Sequence, residues 1–190
     1  MRRQPPPQLY FVFSAVFHYL GPAFAVLLFA RVEALGVAWL RIASAALLFA
    51  LWRRPWALLR RRLVLAWGGV LALMNCCFYV AIDRLPLGTV AAIEFLPVIA
   101  LAALGTRSRR NAVALALAVV GVYALTDVRL AGEPLGVALA FVNAGLFALY
   151  IVLAHRVAQE PDLSGIDGLA AAMIAALVVV TPLAGWAALP

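Results

Sequence analysis

The sequence predicts an all-α protein, a polytopic membrane helix bundle with seven transmembrane helices and a cytoplasmic N-terminus. Three observations predict it. First, 67% of the 190 residues are hydrophobic and only 12% are charged, with a mean hydropathy of +1.05. A soluble domain is about half apolar and a quarter charged, so these side chains cannot cover a water-facing globule. Soluble enzymes, disulfide scaffolds and disordered chains are excluded on that ground. Second, apolar runs recur near the length of a bilayer crossing, about 20 residues. Third, all 15 basic residues are arginine, and most fall in alternate breaks between those runs.

The seven runs are Leu9 to Ala30, Ala34 to Trp52, Leu63 to Ile82, Leu87 to Thr106, Ala112 to Thr126, Leu135 to Ala154 and Gly168 to Leu189. The fifth is short, at about 22 Å of rise, and is either longer than drawn or peripheral. Arg53-Arg54-Pro55-Trp56 through Arg62 separates the second and third runs. Asp83 to Pro86 makes a tight turn between the third and fourth, and Arg107 to Arg110 parts the fourth from the fifth. Asp127 to Pro134 and His155 to Asp167 form the last two connections. None is long enough to be a soluble domain.

Arginine in short loops marks the cytoplasmic side. One set of alternate loops carries Arg2, Arg3, Arg53, Arg54, Arg60, Arg61, Arg62, Arg107, Arg109, Arg110 and Arg156; the other carries Arg31, Arg84 and Arg129. That asymmetry places the N-terminus in the cytoplasm. It also accounts for the net charge of +7 without a nucleic-acid partner, because the charges are dispersed along the chain rather than gathered on one face. The first run is too long for a signal-peptide core and has no evident cleavage site.

Several functions are set aside by residue type. The adjacent Cys76 and Cys77 lack the spacing of a metal site and read as small apolar packing residues. No cofactor and no metal is expected. A retinal protein needs a lysine, and a G-protein-coupled receptor places its N-terminus outside. Ser14 and His18 share a helix face, but no nucleophile turn surrounds the serine, so the chain does not read as an enzyme.

The run Asn75-Cys-Cys-Phe78-Tyr79-Val-Ala81-Ile82-Asp83-Arg84-Leu85-Pro86-Leu87-Gly88-Thr89-Val-Ala91-Ala-Ile-Glu94-Phe95-Leu96-Pro97 resembles the EamA-type half of the drug/metabolite transporter superfamily. It is most like the threonine/homoserine exporter branch, which carries Phe-Tyr-x-Ala-Ile-x-Arg-Leu-Pro-Leu-Gly followed by Glu-Phe-Leu and a nearby proline. That branch tends to read Phe-Leu-Gly-Pro, whereas here Leu96 meets Pro97 directly. Trp39-Leu40-Arg41 and Val119 to Leu125 fit the same pattern more weakly. The resemblance implies ten helices in two inverted five-helix repeats. Residues 1–130 would form the first repeat and residues 131–190 the first two helices of a second. On that footing the chain is a partial sequence, a truncated product or a divergent short member.

Polar groups inside a bilayer cost a few kcal/mol and tend to mark a solute path. Arg41 and Glu94 each lie seven residues inside the outer end of their helices, so both sit at about the same depth, near 10 Å. They are expected to share a cavity, arginine suiting a carboxylate and glutamate an ammonium group. The alternatives are that Arg41 snorkels to the headgroups or that the two form a structural ion pair. Two stripes, Asn75-Phe78-Tyr79-Ile82 and Asn143-Phe147-Tyr150, read either as cavity lining or as helix packing. His18 lies on a face with Ser14 and Pro22, and Pro22, Pro97 and Pro182 interrupt three helices. The expected substrate-binding set is Arg41, Glu94, Asn75, Tyr79, Asn143, Tyr150 and His18. The expected function is export of a small metabolite, such as threonine or homoserine, by alternating access. The alternatives are efflux of a drug or nucleobase, or a truncated fragment without transport. The expected surroundings are the bacterial inner (plasma) membrane. The partners are a small-molecule substrate and the lipid bilayer, with room for a homo-oligomer.

Overall fold

A computed structural model describes residues 7–105, 108–125, 133–161 and 163–188. Among them are seven α-helices: α1 (Pro7–Ala25), α2 (Ala34–Arg53), α3 (Arg62–Ile82), α4 (Leu87–Gly105), α5 (Arg109–Leu125), α6 (Pro134–Ala158) and α7 (Gly165–Ala184). Arg2, Arg3, Arg107 and Arg129, and the connection from Asp127 to Gly132, lie outside the described residues.

The helix ends follow from local chemistry. α2 begins after an extended Glu33 and stops at Arg54, which takes the left-handed conformation at φ 48°. Pro55 follows, and a residue before proline is disfavoured in the right-handed helical region, so the helix cannot run on. The chain then makes a short 3-10 turn, Trp56–Arg60, where the sequence had suggested only a break. The Asp83 to Pro86 turn is closed by Leu85 N–H donating to the Ala81 carbonyl, and Pro86 opens α4. Pro134 starts α6, where a missing N–H costs nothing. His155 and Arg156 in its last turn suit the negative end of the helix dipole. α6 therefore extends four residues beyond the expected Ala154.

Two helices differ from single unbroken spans. α1 gives way at Ala25 to a 3-10 segment, Val26–Ala30, and α7 gives way at Ala184 to another, Gly185–Ala188. In each case a proline, Pro22 or Pro182, sits within the preceding turn and removes one helical hydrogen bond.

α3 is the central element. It packs against α2, α4, α6 and α7, while α2 also packs on α7 and α4 on α6. The α3–α7 approach is close because α7 presents alanines; Ala171, Ala172 and Ala176 are fully buried. A Cβ on Gly68 of α3 would lie 2.6 Å from the Ala172 carbonyl oxygen, so only glycine fits there. α5 packs on α4 and leaves most of its surface exposed.

Exposed side chains are apolar too. Phe17 is 68% exposed, Leu27 73% and Val178 70%. A water-soluble protein would not show such a belt, whereas hydrocarbon solvates it. Four helices, Ala34–Arg53, Arg62–Ile82, Pro134–Ala158 and Gly165–Ala188, are long and apolar enough to cross a membrane. The chain folds as an all-α polytopic membrane bundle.

Ion pairs sit at the helix ends. Arg53 at the end of α2 meets Asp167 in the first turn of α7 at 2.6 Å, and Arg61 meets Glu160 at 3.6 Å. At the opposite end Arg84 meets Glu133 at 3.3 Å.

Candidate functional site

Two neighbouring spaces lie within the bundle. The larger is a cavity of about 570 Å³ bordered by α1, α2, α3, α4, α6 and α7. Its walls are largely apolar and aromatic, including Ile42, Leu71, Met74, Phe95, Phe147 and Tyr150. Its polar groups are Ser14, His18, Tyr19, Arg41 and Asn75. The smaller is a side chamber of about 20 Å³ lined by His18, Pro22, Arg41, Met74, Asn75, Phe78, Glu94 and Asn143. His18, Arg41, Met74 and Asn75 border both spaces.

Glu94 anchors the chamber. It is 2% exposed, and its two carboxylate oxygens are held by different helices. Tyr19 of α1 donates its hydroxyl to Glu94 Oε2 at 3.2 Å, and Asn143 of α6 donates Nδ2 to Glu94 Oε1 at 3.1 Å. Asn143 is fully buried, and its Oδ1 accepts no hydrogen bond among the described residues. A buried carboxylate needs such donors, because unpaired it would carry its whole desolvation cost.

Arg41 reaches toward Tyr79 of α3. Its Nη1 donates to the Tyr79 hydroxyl at 3.3 Å, and its guanidinium carbon lies 5.8 Å from the Tyr79 ring centroid. Arg41 and Glu94 therefore line one space, and no ion pair between them is present among the described residues. Each charge has neutral hydrogen-bond partners, and the guanidinium retains donors that Tyr79 does not use.

The other expected residues divide. Asn75 lines both spaces, but its Nδ2 is engaged by the Leu71 carbonyl on its own helix at 2.9 Å. Along the same stripe Phe78 walls the chamber, Tyr79 is fully buried behind Arg41, and Ile82 belongs to the apolar core. Tyr150 lines the large cavity, stacked on Phe147 with centroids 6.3 Å apart and rings 7° from parallel. His18 borders both spaces, edge-on to Tyr19 at 5.0 Å. Pro22 has no N–H for the His18 carbonyl and lines the chamber as well.

Tyr19 is the residue that sequence reasoning passed over. A phenol in the middle of an apolar span needs a partner for its O–H, which was a usable signal. Nothing in the spacing named that partner, 75 positions away.

The features together define a class: a polytopic helical membrane protein with a buried carboxylate and a guanidinium facing one internal cavity. The chain is similar to the threonine/homoserine exporter RhtA of Escherichia coli strain K12, with 34% identity over 166 residues, covering 81% of this chain and 55% of that protein. It is also similar to the exporter of the same name from Salmonella typhimurium strain LT2, with 32% identity over the same coverage. The chain spans about half the length of these curated relatives. No family model matches the chain, and no solved structure matches it significantly.

Proposed function

We propose that the chain forms the substrate-binding part of an exporter of small zwitterionic metabolites, amino acids of the threonine or homoserine kind, working by alternating access. One observation carries the reading: Arg41 and Glu94 border the same chamber without a direct ion pair between them. Two opposite charges held apart in a low-dielectric interior suit a ligand that carries both complementary charges. The likeness to proteins named as threonine/homoserine exporters supports the same solute class.

In this reading Arg41 takes the carboxylate and Glu94 the ammonium group. Asn75, Tyr79, Asn143, Tyr150 and His18 shape the space around them. The chain fits the EamA type of the drug/metabolite transporter superfamily, with residues 1–130 as a first repeat and 131–190 as the start of an inverted second. The arginine asymmetry supports a cytoplasmic N-terminus in a bacterial inner membrane. A second reading has one specific support: the walls from Phe95, Phe147 and Tyr150 would also suit a flat aromatic solute such as a nucleobase.

The test is Glu94→Gln, compared with the native chain for amino-acid efflux from cells at several external pH values. Efflux should fall sharply and its pH dependence should flatten. Efflux and pH profile both equal to native would remove Glu94 from the mechanism.

A further inference from the structure

We infer that the side chamber beside Glu94 is a subsite for an unsubstituted primary ammonium group, with Asn143 setting its size, so that N-alkylated amino acids are excluded. This rests on the amino-acid reading above and adds a selectivity which that reading does not contain.

The chamber measures about 20 Å³, roughly what one water-sized group fills. An ammonium group is of that size, and it brings N–H donors that need acceptors. Acceptors converge here. The Glu94 carboxylate has lone pairs beyond those engaged by Tyr19 and Asn143. Asn143 Oδ1 is fully buried and accepts no hydrogen bond among the described residues. A buried acceptor without a partner costs about 1–3 kcal/mol, so its retention beside a carboxylate indicates a donor that arrives with the ligand.

The amide orientation is consistent with this. Asn143 must turn Nδ2 to an ionised Glu94, which leaves Oδ1 for an incoming donor. Arg41 also borders the chamber and would repel a lone amine. An α-amino acid avoids that repulsion, because its own carboxylate lies next to its ammonium and faces the guanidinium. The remaining walls, Met74, Phe78 and Pro22, are apolar and buried. In a chamber of about 20 Å³ a methyl added to the nitrogen would crowd them.

The experiment measures saturable binding of labelled L-threonine to the purified chain, with unlabelled L-threonine and N-methyl-L-threonine as competitors. The N-methyl compound should compete about tenfold or more weakly, the scale at which a pocket resolves one carbon. Asn143→Ala, or Asn143→Ser should alanine fail to fold, should bring the two competitors within about threefold of each other by opening the chamber. Equal competition in the native chain overturns the subsite alone. Absence of saturable threonine binding overturns both the subsite and the amino-acid reading.

Discussion

Glu94 and Arg41 are each stabilised by a tyrosine, and the two pairings differ in kind. Tyr19 donates to the carboxylate, whereas Tyr79 accepts from the guanidinium. Each charge therefore has a neutral anchor and is held in a fixed direction, so a ligand that binds it has less side-chain freedom left to freeze out. The arginine anchor depends on a planar fork that lysine cannot reproduce. Arg41→Lys should keep the charge but lose either the Tyr79 bond or the reach to a carboxylate. With charge-assisted bonds worth about 1.5–3 kcal/mol, the KM for amino-acid efflux should rise tenfold or more. An unchanged KM would mean that the charge alone matters at this position. Apart from Tyr19, the polar residues of the candidate site were legible in sequence because each is conspicuous in an apolar helix. Their pairings were not, since Tyr19, Glu94 and Asn143 come from three helices separated by long stretches of chain.

At the level of elements, α3 and α7 act as one packed unit. Gly68 faces α7, but Gly69, its neighbour, has nothing within 4 Å of an added Cβ. The pair offers an internal control. Gly68→Ala should overpack the interface and cost about 1–3 kcal/mol, while Gly69→Ala should be neutral or gain up to about 1 kcal/mol from helix propensity. Thermal unfolding in detergent, followed by a thiol-reactive fluorophore at the half-buried Cys76 and Cys77, reads both. A Gly68→Ala protein as stable as Gly69→Ala would contradict the close approach. Which glycine faced inward could not be read from the sequence, because these helices are apolar on every side. Lipid and protein interior reward the same side chains, so no amphipathic stripe declares the buried face. The helix ends were easier: Pro55, Pro86 and Pro134 act through local backbone geometry whatever surrounds them.

For the whole molecule, the ion pairs divide between the two ends of the bundle. Arg53–Asp167 and Arg61–Glu160 tie the second and sixth connections together, and Arg84–Glu133 ties the third connection to the start of α6. Half-exposed pairs of this kind contribute little stability, so their interest is positional. The arginine asymmetry predicts which end faces the cytoplasm. In a chain with Cys76 and Cys77 replaced by alanine, Glu133→Cys should react with a membrane-impermeant maleimide on intact cells. Arg60→Cys should react only after the cells are opened; the reverse pattern would invert the assigned topology. By itself, the sequence determined the membrane class, the approximate helices and the sharp turn at Asp83 to Pro86. All of these depend on local hydropathy or on the backbone preferences of single residues. Only the tertiary structure decided that Arg41 turns to Tyr79 rather than pairing with Glu94, and that Glu94 is held between Tyr19 and Asn143. It also decided that a small chamber and a larger apolar cavity share His18, Arg41, Met74 and Asn75. Those outcomes depend on how each helix is rotated about its own axis, and that rotation is set by the neighbours it packs against.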